Sequence, residues 1–278
     1  MRRCLPLFFL LSACAENQTH PLAHPAYDAA PLAPLTCVPN LDGRIDAAEL
    51  QAAIGIPVAY LVSPAGTERT VDLAGSVQPD GTRVWDWSLE LEDDTVARLQ
   101  AAKLASAWFA ASFPEGQFTA PLDAAGSLLG VYVHDDAGLW LLGMATAVEA
   151  PPEGQTLLVY DQPVAVFTFP IEVGQSWTAV GKVQNGTVRG LPYAGRDVYE
   201  VTVDAAGHML LPDLELTQAL RVRTKVTVEP AVGQSHTVRQ ASYVFECMGE
   251  VARATSRTDE PEDEFTKAAE VRRLGLGL

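Results

Sequence analysis

The chain has 278 residues, of which 48% are hydrophobic, so it can fill a large core and is not expected to be globally disordered. Its 35 acidic and 19 basic residues give a formal net charge of −16. A surface of that sign repels nucleic acid and anionic lipid headgroups, so we expect no nucleic-acid partner.

The amino terminus has the pattern of a bacterial export signal. Two arginines precede an apolar run over residues 5–11, which is much shorter than the ~20 residues of a membrane-spanning helix. The Leu-Ser-Ala-Cys sequence that follows resembles the lipobox of bacterial lipoproteins. This resemblance implies a signal peptide over residues 1–13 and acyl chains on Cys14 that anchor the protein in a membrane. Ala15 stands where aspartate marks retention in the inner membrane, so the outer membrane is the expected location. An unlipidated signal peptide is the alternative.

Composition divides the rest of the chain. Four prolines among small and polar residues predict a disordered tether over residues 14–36, with an end-to-end distance of roughly 25 Å. A Pro-Pro-Glu-Gly sequence at residues 151–154 is either a boundary between two lobes or a loop within one domain. The predicted segments are a β-rich domain over 37–258, its possible lobes 37–150 and 155–258, and an acidic segment and tail over 259–278. We expect the tail to be frayed or to form a last edge strand.

Residues 38–49 partly resemble the loop of an EF-hand calcium site. With Gly43 at loop position six, the ligand positions carry oxygen-bearing side chains, namely Asn40, Asp42, Asp46 and Glu49. Position one is Val38 instead of aspartate, and the prolines before it prevent an entering helix. The same residues fit a turn followed by a capped helix over residues 47–53. We therefore predict no cofactor and keep calcium as the less favoured alternative.

Alternating apolar and polar residues predict β-strands in most of the domain. A clean alternation indicates one buried and one solvated face, which is typical of antiparallel sheets. Turn residues at 79–81, 135–138, 185–186 and 205–207 separate the strands at intervals typical of a barrel or sandwich. The apolar rows are Trp85, Trp87, Leu89 and Leu91; Tyr199, Val201 and Val203; Leu220, Val222, Thr224, Val226 and Val228; and Tyr243, Phe245 and Cys247.

One longer helix is predicted in the first half of the domain. Asp94 can cap a helix that ends near residue 111, with Val96, Leu99, Leu104 and Trp108 near one face. The predicted fold class is therefore mainly β, with an antiparallel barrel-like or sandwich arrangement and one or two short helices.

Two cysteines remain in the domain. In an oxidising compartment a lone pair of cysteines usually bonds, so we predict a disulfide between Cys37 and Cys247. Such a bond would fix the first ordered residues to a late strand. Two free thiols are the alternative.

A row of basic residues crosses one predicted strand. Arg221, Arg223 and Lys225 lie on its expected solvent face, as do Asp86 and Glu90 on an earlier strand. The basic row could bind an anion. An acidic row of Glu200 and Asp204 on a neighbouring strand is the favoured partner.

The sequence contains no Gly-x-Ser-x-Gly elbow, no His-Glu-x-x-His helix and no phosphate-binding glycine loop. His134 beside Asp135 could form a base with its orienting carboxylate, but the Gly138 that follows is more typical of a hairpin turn. His208 and His236 are distant from each other in sequence. We therefore assign no catalytic residue and expect no enzyme activity.

Over most of residues 37–258 the chain resembles uncharacterised bacterial surface lipoproteins with a β-rich domain. The resemblance rests on the lipobox, the Cys-Val-Pro-Asn-Leu-Asp-Gly-Arg-Ile opening at residues 37–45, the stretch 169–177 and the strand 243–247. It implies no activity. The favoured function is a non-catalytic binding or structural module on the outer membrane, with an unknown protein or apolar ligand. The alternatives are a lipid or lipoprotein carrier with a half-open barrel, similar in outline to lipoprotein-localisation factors, and a hydrolase whose site is not visible in the sequence.

Overall fold

The structure, a computed structural model, describes residues 37–276. The strands are β1 (Arg44–Ile45), β2 (Pro57–Val62), β3 (Arg69–Thr70), β4 (Ser76–Val77), β5 (Arg83–Asp86), β6 (Thr95–Gln100), β7 (Ala102–Lys103), β8 (Phe118–Pro121), β9 (Leu128–His134), β10 (Gly138–Thr146), β11 (Leu157–Thr168), β12 (Ile171–Glu172), β13 (Ser176–Val188), β14 (Leu191–Leu210), β15 (Glu215–Pro230), β16 (His236–Phe245), β17 (Gly249–Ser256) and β18 (Lys267–Leu274). Short 3-10 helices cover Ala47–Glu49, Leu104–Ser106 and Ala110–Ser112. Over the described range, no helix has the length and apolar character needed to cross a membrane.

One large sheet curves into a nearly closed barrel. Its strand order is β6-β2-β18-β17-β16-β15-β14-β13-β11-β10-β9-β8-β7, and the neighbours along this path pair in antiparallel fashion. The two edge strands, β6 and β7, are separated in the chain only by Ala101, which bridges to Ile54. The path therefore returns to its starting point, and the predicted mainly β, antiparallel and barrel-like fold is confirmed.

The alternation in β14 has its predicted effect. Val201 and Val203 are buried while Glu200 and Thr202 are exposed. Their strand pairs with β15 over most of its length, and Val203 lies opposite Val222. The inward-facing rows therefore stack against one another across neighbouring strands.

Part of the sheet is buried on both faces, which the alternation did not predict. In β16, Tyr243 and Val244 are both fully buried. The segment that carries β3, β4 and β5 covers the outer face here, where Trp85 and Trp87 make edge-to-face contacts with Tyr243 at 4.9 and 5.0 Å between ring centroids. Arg221 also lies under this cover and is only 4% exposed. The predicted exposure of Arg221 to solvent is therefore wrong.

The predicted helix from Asp94 to about residue 111 is wrong. Its first half is β6, which pairs with β2 from Pro57 to Val62, and only two short 3-10 helices follow. The helix predicted over 47–53 is reduced to the 3-10 turn Ala47–Glu49. Glu49 still accepts a hydrogen bond from the Asp46 amide at 2.9 Å, as in a capping box.

Two predicted turns lie within strands. Residues 205–207 are part of β14, where β5 pairs beside them, and a Cβ on Gly207 would lie 2.4 Å from the Arg83 carbonyl oxygen. Glycine is therefore required there by the close approach of another strand. Residues 185–186 are part of β13 and lie at a shift of its register with β14. The predicted hairpin at 135–138 is confirmed, because it joins β9 to β10.

The domain extends beyond residue 258. The tail contains β18, which pairs with β17 on one side and with β2 and β3 on the other, so it is an interior strand and neither frayed nor an edge. Residues 151–154 lie in the connection between the paired strands β10 and β11. By its contacts Cys37–Leu278 is one unit.

Candidate functional site

The barrel interior contains a cavity of about 400 Å³ that is partly open to solvent. Its long walls are formed by β8 to β11 on one side and by β14 to β18 on the other. The residues that line it are Phe118, Ala120, Pro121, Leu122, Leu128, Tyr132, Leu139, Leu141, Met144, Val166, Phe167, Tyr199, Val201, Val222, Thr224, Val226, Val238, Gln240, Ser242, Glu250, Arg253 and Arg272. A cavity of this volume is within the range of ~300–1,000 Å³ typical of small-molecule sites.

Strand periodicity explains why these side chains face inward. Every second residue of β15, from Val222 to Val226, lies on the cavity side of the sheet. In β16 the cavity residues from Val238 to Ser242 are the direct partners of those in β15, with Val222 opposite Ser242. The inner surface of this wall is thus set by the two-residue period of antiparallel strands.

The far wall is apolar and rich in aromatic rings. Phe118 and Tyr132 stack with their ring centroids 5.5 Å apart. Burial raises the pKa of Tyr132 to about 12, so its phenol is neutral at physiological pH. Leu141 and Met144 extend this surface.

The charged residues of the cavity are concentrated on β17 and β18. Arg272 lies opposite Arg253 in the sheet, and Arg253 lies opposite Ser242. Arg272 donates from Nε and Nη2 to Oε1 of Glu250, at 2.8 Å for Nε, and Ser242 donates from Oγ to Glu250 Oε2 at 2.7 Å. Arg253 donates from Nη2 to the Leu122 carbonyl oxygen at 2.9 Å.

The pKa of Glu250 reflects this environment. Burial favours the neutral acid and raises its pKa, but Arg253 and Arg272 outweigh this effect, so the pKa lies below its ordinary value. Glu250 is therefore ionised at physiological pH. It is a weak proton acceptor because both arginines stabilise its charge.

A second polar group lies beside the cavity. The Tyr160 hydroxyl donates to Asp197 Oδ2 at 2.6 Å and lies 3.0 Å from the hydroxyl of Tyr199, which lines the cavity. Asp197 is 4% exposed, and its Oδ1 has no hydrogen-bond partner among the described residues. Burial raises the pKa of this carboxyl above its ordinary value, against the smaller opposing effects of Tyr160 and His236.

The predicted disulfide is present. Cys37 and Cys247 are bonded, with 5.6 Å between their Cα atoms, which is in the usual range for a disulfide. The adjacent Glu246 is 2% exposed, and its Oε2 accepts from the amides of Asn40 and Leu41 at 2.7 and 2.8 Å. The first described residues are therefore attached to the end of β16 by a covalent bond and by a buried carboxylate.

The oxygens of the calcium-like loop have partners within the protein. Asn40 Oδ1 accepts from the Asp42 amide at 2.8 Å, and Asn40 Nδ2 donates to Glu49 Oε1 at 2.9 Å. Asp42 and Asp46 both form ion pairs with Arg44. In the described part of the chain, no group of three or more histidine, cysteine, aspartate or glutamate side chains is arranged to hold a metal ion.

The basic row has the acidic partners that the sequence favoured. Lys225 pairs with Glu200 at 2.7 Å, and Arg221 and Arg223 pair with Asp204 at 2.8 and 2.6 Å. Glu264, from the acidic segment, also pairs with both arginines, which the sequence did not indicate. The row is therefore neutralised by ion pairs within the described residues.

The three histidines of the described range lie on separate strands. His134 ends β9, where its ring lies 5.2 Å from that of Phe169, while His208 is in β14 and His236 begins β16. Asp135 Oδ1 accepts from the Trp140 indole at 3.0 Å and from the Gly138 amide at 2.9 Å. These hydrogen bonds lower the pKa of Asp135, and the bond from Trp140 has the largest effect. Asp135 therefore stabilises the turn.

Sequence reasoning missed Glu250, Arg253 and Arg272. Their strands do not alternate, because Val251, Ala252 and Ala254 around Arg253 are all fully buried. Charged residues within a run of small apolar ones are a signal of a strand that is buried on both faces. That signal could have identified the cationic wall. Lipidation of Cys14 and the tether fall outside the described residues.

Comparisons with protein-family models, with curated proteins and with solved structures give no match for this chain.

Proposed function

We propose that the chain is a non-catalytic binding protein, anchored to the outer membrane through lipidated Cys14, and that the barrel interior is its ligand site. The cavity of about 400 Å³ carries this proposal. Protein interiors are normally packed with few voids larger than a water molecule. A purely structural module would be expected to fill its barrel with its own side chains.

The lining favours an apolar ligand. Most of the wall from Phe118 to Phe167 consists of hydrocarbon and aromatic surface. When a ligand covers this surface and displaces water from it, binding is favoured by about 25 cal/mol per Å² of apolar area buried. The polar groups are few and are confined to one side. This combination is typical of sites that orient an apolar molecule by a small number of polar contacts.

The polar groups favour binding over turnover. The Ser242 hydroxyl donates to Glu250, but the carboxylate is a weak base because two arginines lower its pKa. A nucleophilic serine needs a base that removes its proton at neutral pH. We therefore assign Ser242 and Glu250 a role in orienting the ligand and the arginines.

A carrier of acyl chains is the second candidate function. A flexible hydrocarbon chain suits the mainly apolar walls, and an anchor at Cys14 would keep the cavity within reach of a membrane. The two candidates share the same site and differ in whether the ligand is exchanged with a membrane.

Titration with an environment-sensitive apolar fluorophore tests the proposal. We expect saturable binding of one probe per chain with an emission shift typical of a dry site. Thr224→Phe fills the cavity and should weaken this binding by at least about tenfold. Thr227→Phe is the matched control, because it lies on the same strand but faces the other side of the sheet. Equal binding by both variants, or no saturable binding by the parent chain, would contradict the proposal.

A further inference from the structure

The charges of the cavity lie on one wall. Arg272, Arg253 and Ser242 form a row across β18, β17 and β16, and Glu250 lies beside them. The facing wall carries Tyr132 and Leu141. The cavity is therefore amphipathic, with one cationic side and one hydrocarbon side.

Both arginines have hydrogen-bond donors that nothing in the described residues satisfies. Arg272 donates from Nε and Nη2 to Glu250, and its Nη1 has no hydrogen-bond partner. Arg253 donates from Nη2 to the Leu122 carbonyl oxygen. Its Nε lies 3.5 Å from Glu250 Oε1 but has no hydrogen-bond partner. The two side chains are only 8% and 9% exposed, so these donors are buried. Buried guanidinium donors without partners are costly and are commonly satisfied by a ligand or by water.

Among the residues that line the cavity, positive charges outnumber negative ones. Glu250 is one carboxylate facing two guanidinium groups. Glu270 lies nearby, outside the lining, and its Oε2 accepts from the Ala124 amide at 3.2 Å. Tyr132 and Tyr60 also face the arginines, but burial keeps both phenols neutral by raising their pKa to about 12.

The two arginines differ in how well they are compensated. Burial lowers the pKa of Arg272, but its pair with Glu250 outweighs this and the pKa is raised. Burial and the neighbouring Arg272 cation lower the pKa of Arg253 by more than Glu250 and Glu270 raise it, so the pKa stays below its ordinary value. Arg253 Nε comes only within 3.5 Å of Glu250 Oε1 and forms no hydrogen bond with it. The Arg272 guanidinium is held in place by stacking on Tyr60, 5.6 Å from the ring centroid.

We infer that the cavity binds amphiphiles with a single negative charge, whose head group lies between Arg253 and Arg272 and whose chain lies along the wall that carries Tyr132. This inference rests on the proposed function and specifies its ligand. A carboxylate suits the wall because, among the lining residues, two guanidinium groups face one carboxylate. A carboxylate also has two acceptor oxygens for the unpaired donors, Arg253 Nε and Arg272 Nη1. A phosphate monoester, with about −1.5 to −2 charges at pH 7, would exceed that charge.

The test is a ligand series with one chain length and different head groups. Dodecanoate, dodecanol, dodecyl phosphate and dodecyltrimethylammonium are titrated into the full chain at pH 8, below their critical micelle concentrations. Dodecanoate is expected to bind at least about tenfold more tightly than dodecanol, because charged hydrogen bonds to buried donors are strong. The trimethylammonium compound should bind most weakly.

Variants locate the head group. Arg253→Gln should reduce the preference for dodecanoate over dodecanol to within about twofold. Arg223→Gln, which removes an arginine from the outer face of the sheet, should retain the preference. If Arg253→Gln does not fold, the ligand series on the parent chain still decides the question.

The outcomes separate the two proposals. Equal binding of dodecanoate and dodecanol would overturn the anionic ligand and leave the apolar site standing. Tighter binding of dodecyl phosphate would overturn the singly charged head group. Failure of every amphiphile to bind would overturn the proposed function itself.

Discussion

Trp85 connects the outer cover to the barrel and is the side chain whose removal is expected to cost most. It is fully buried, its indole donates to the Leu73 carbonyl at 2.9 Å, and its ring contacts Tyr243. Replacing a buried tryptophan by alanine costs about 3–5 kcal/mol through lost contacts and the cavity that remains. The edge-to-face contact adds about 0.5–1.5 kcal/mol. We therefore expect Trp85→Ala to lower the free energy of unfolding by about 5 kcal/mol.

The assay is equilibrium unfolding in urea, analysed by linear extrapolation with the disulfide intact. Trp140→Ala is the matched control, because Trp140 is only half-buried and its indole donates to a turn aspartate at 3.0 Å. It should cost about 1 kcal/mol. Trp85→Phe keeps an aromatic ring and loses the indole hydrogen bond, but the Leu73 carbonyl still accepts from Arg221 Nη1, so this change should cost about 1–2 kcal/mol. A loss of less than about 2 kcal/mol in Trp85→Ala, or one no larger than in Trp140→Ala, would contradict the conclusion that packing of the outer cover on the barrel stabilises the fold.

Three further predictions concern the anchor, the disulfide and a buried acid. The intact mass of the membrane fraction should show acyl chains on a protein that begins at Cys14, and Cys14→Ser should release the chain from the membrane; a soluble parent chain cut elsewhere would contradict this. Cys247→Ser should lower the free energy of unfolding by about 2–5 kcal/mol, because the bond closes a loop across 210 positions, and peptide maps that find free thiols in the exported protein would exclude the bond. Asp197 has a raised pKa in the folded state, so its ionisation opposes folding above about pH 4 and not below. Asp197→Asn should therefore unfold at higher urea concentrations than the parent at pH 7 and at similar ones near pH 3, and lower stability at pH 7 would contradict the raised pKa.

The sequence predicted the strands whose two faces differ in polarity. Val201 and Val203 alternate with exposed polar residues, and their strand appeared where expected. Residues 95–103 were assigned to a helix because alanine and leucine favour helices, but pairing with β2 overrides that preference. The charged tail was not predicted to be an interior strand, because charged residues usually lie on the surface. Its arginines are buried in ion pairs that only the folded sheet brings together.

The candidate site was less predictable than the strands. Alternation states which side chains share a face, but it does not state which strands lie opposite one another across a barrel. The cavity therefore could not be derived from Thr224 or Tyr132 alone. The partners of Arg253 and Arg272 depend on contacts between distant segments, because Arg253 donates to the Leu122 carbonyl and Arg272 meets Glu250 only where β18 pairs with β17. By contrast, the disulfide followed from the number of cysteines and the expected compartment.

A crystal structure with bromine-labelled dodecanoate is the most direct test of whether the barrel interior is a ligand site. The anomalous signal of the bromine locates the end of the hydrocarbon chain without reference to the protein density. We expect one bromine peak inside the cavity, between Tyr132 and Val222, with the carboxylate within hydrogen-bond distance of Arg253. Bromine peaks confined to the outer surface, with the interior closed by the protein's own side chains, would contradict it.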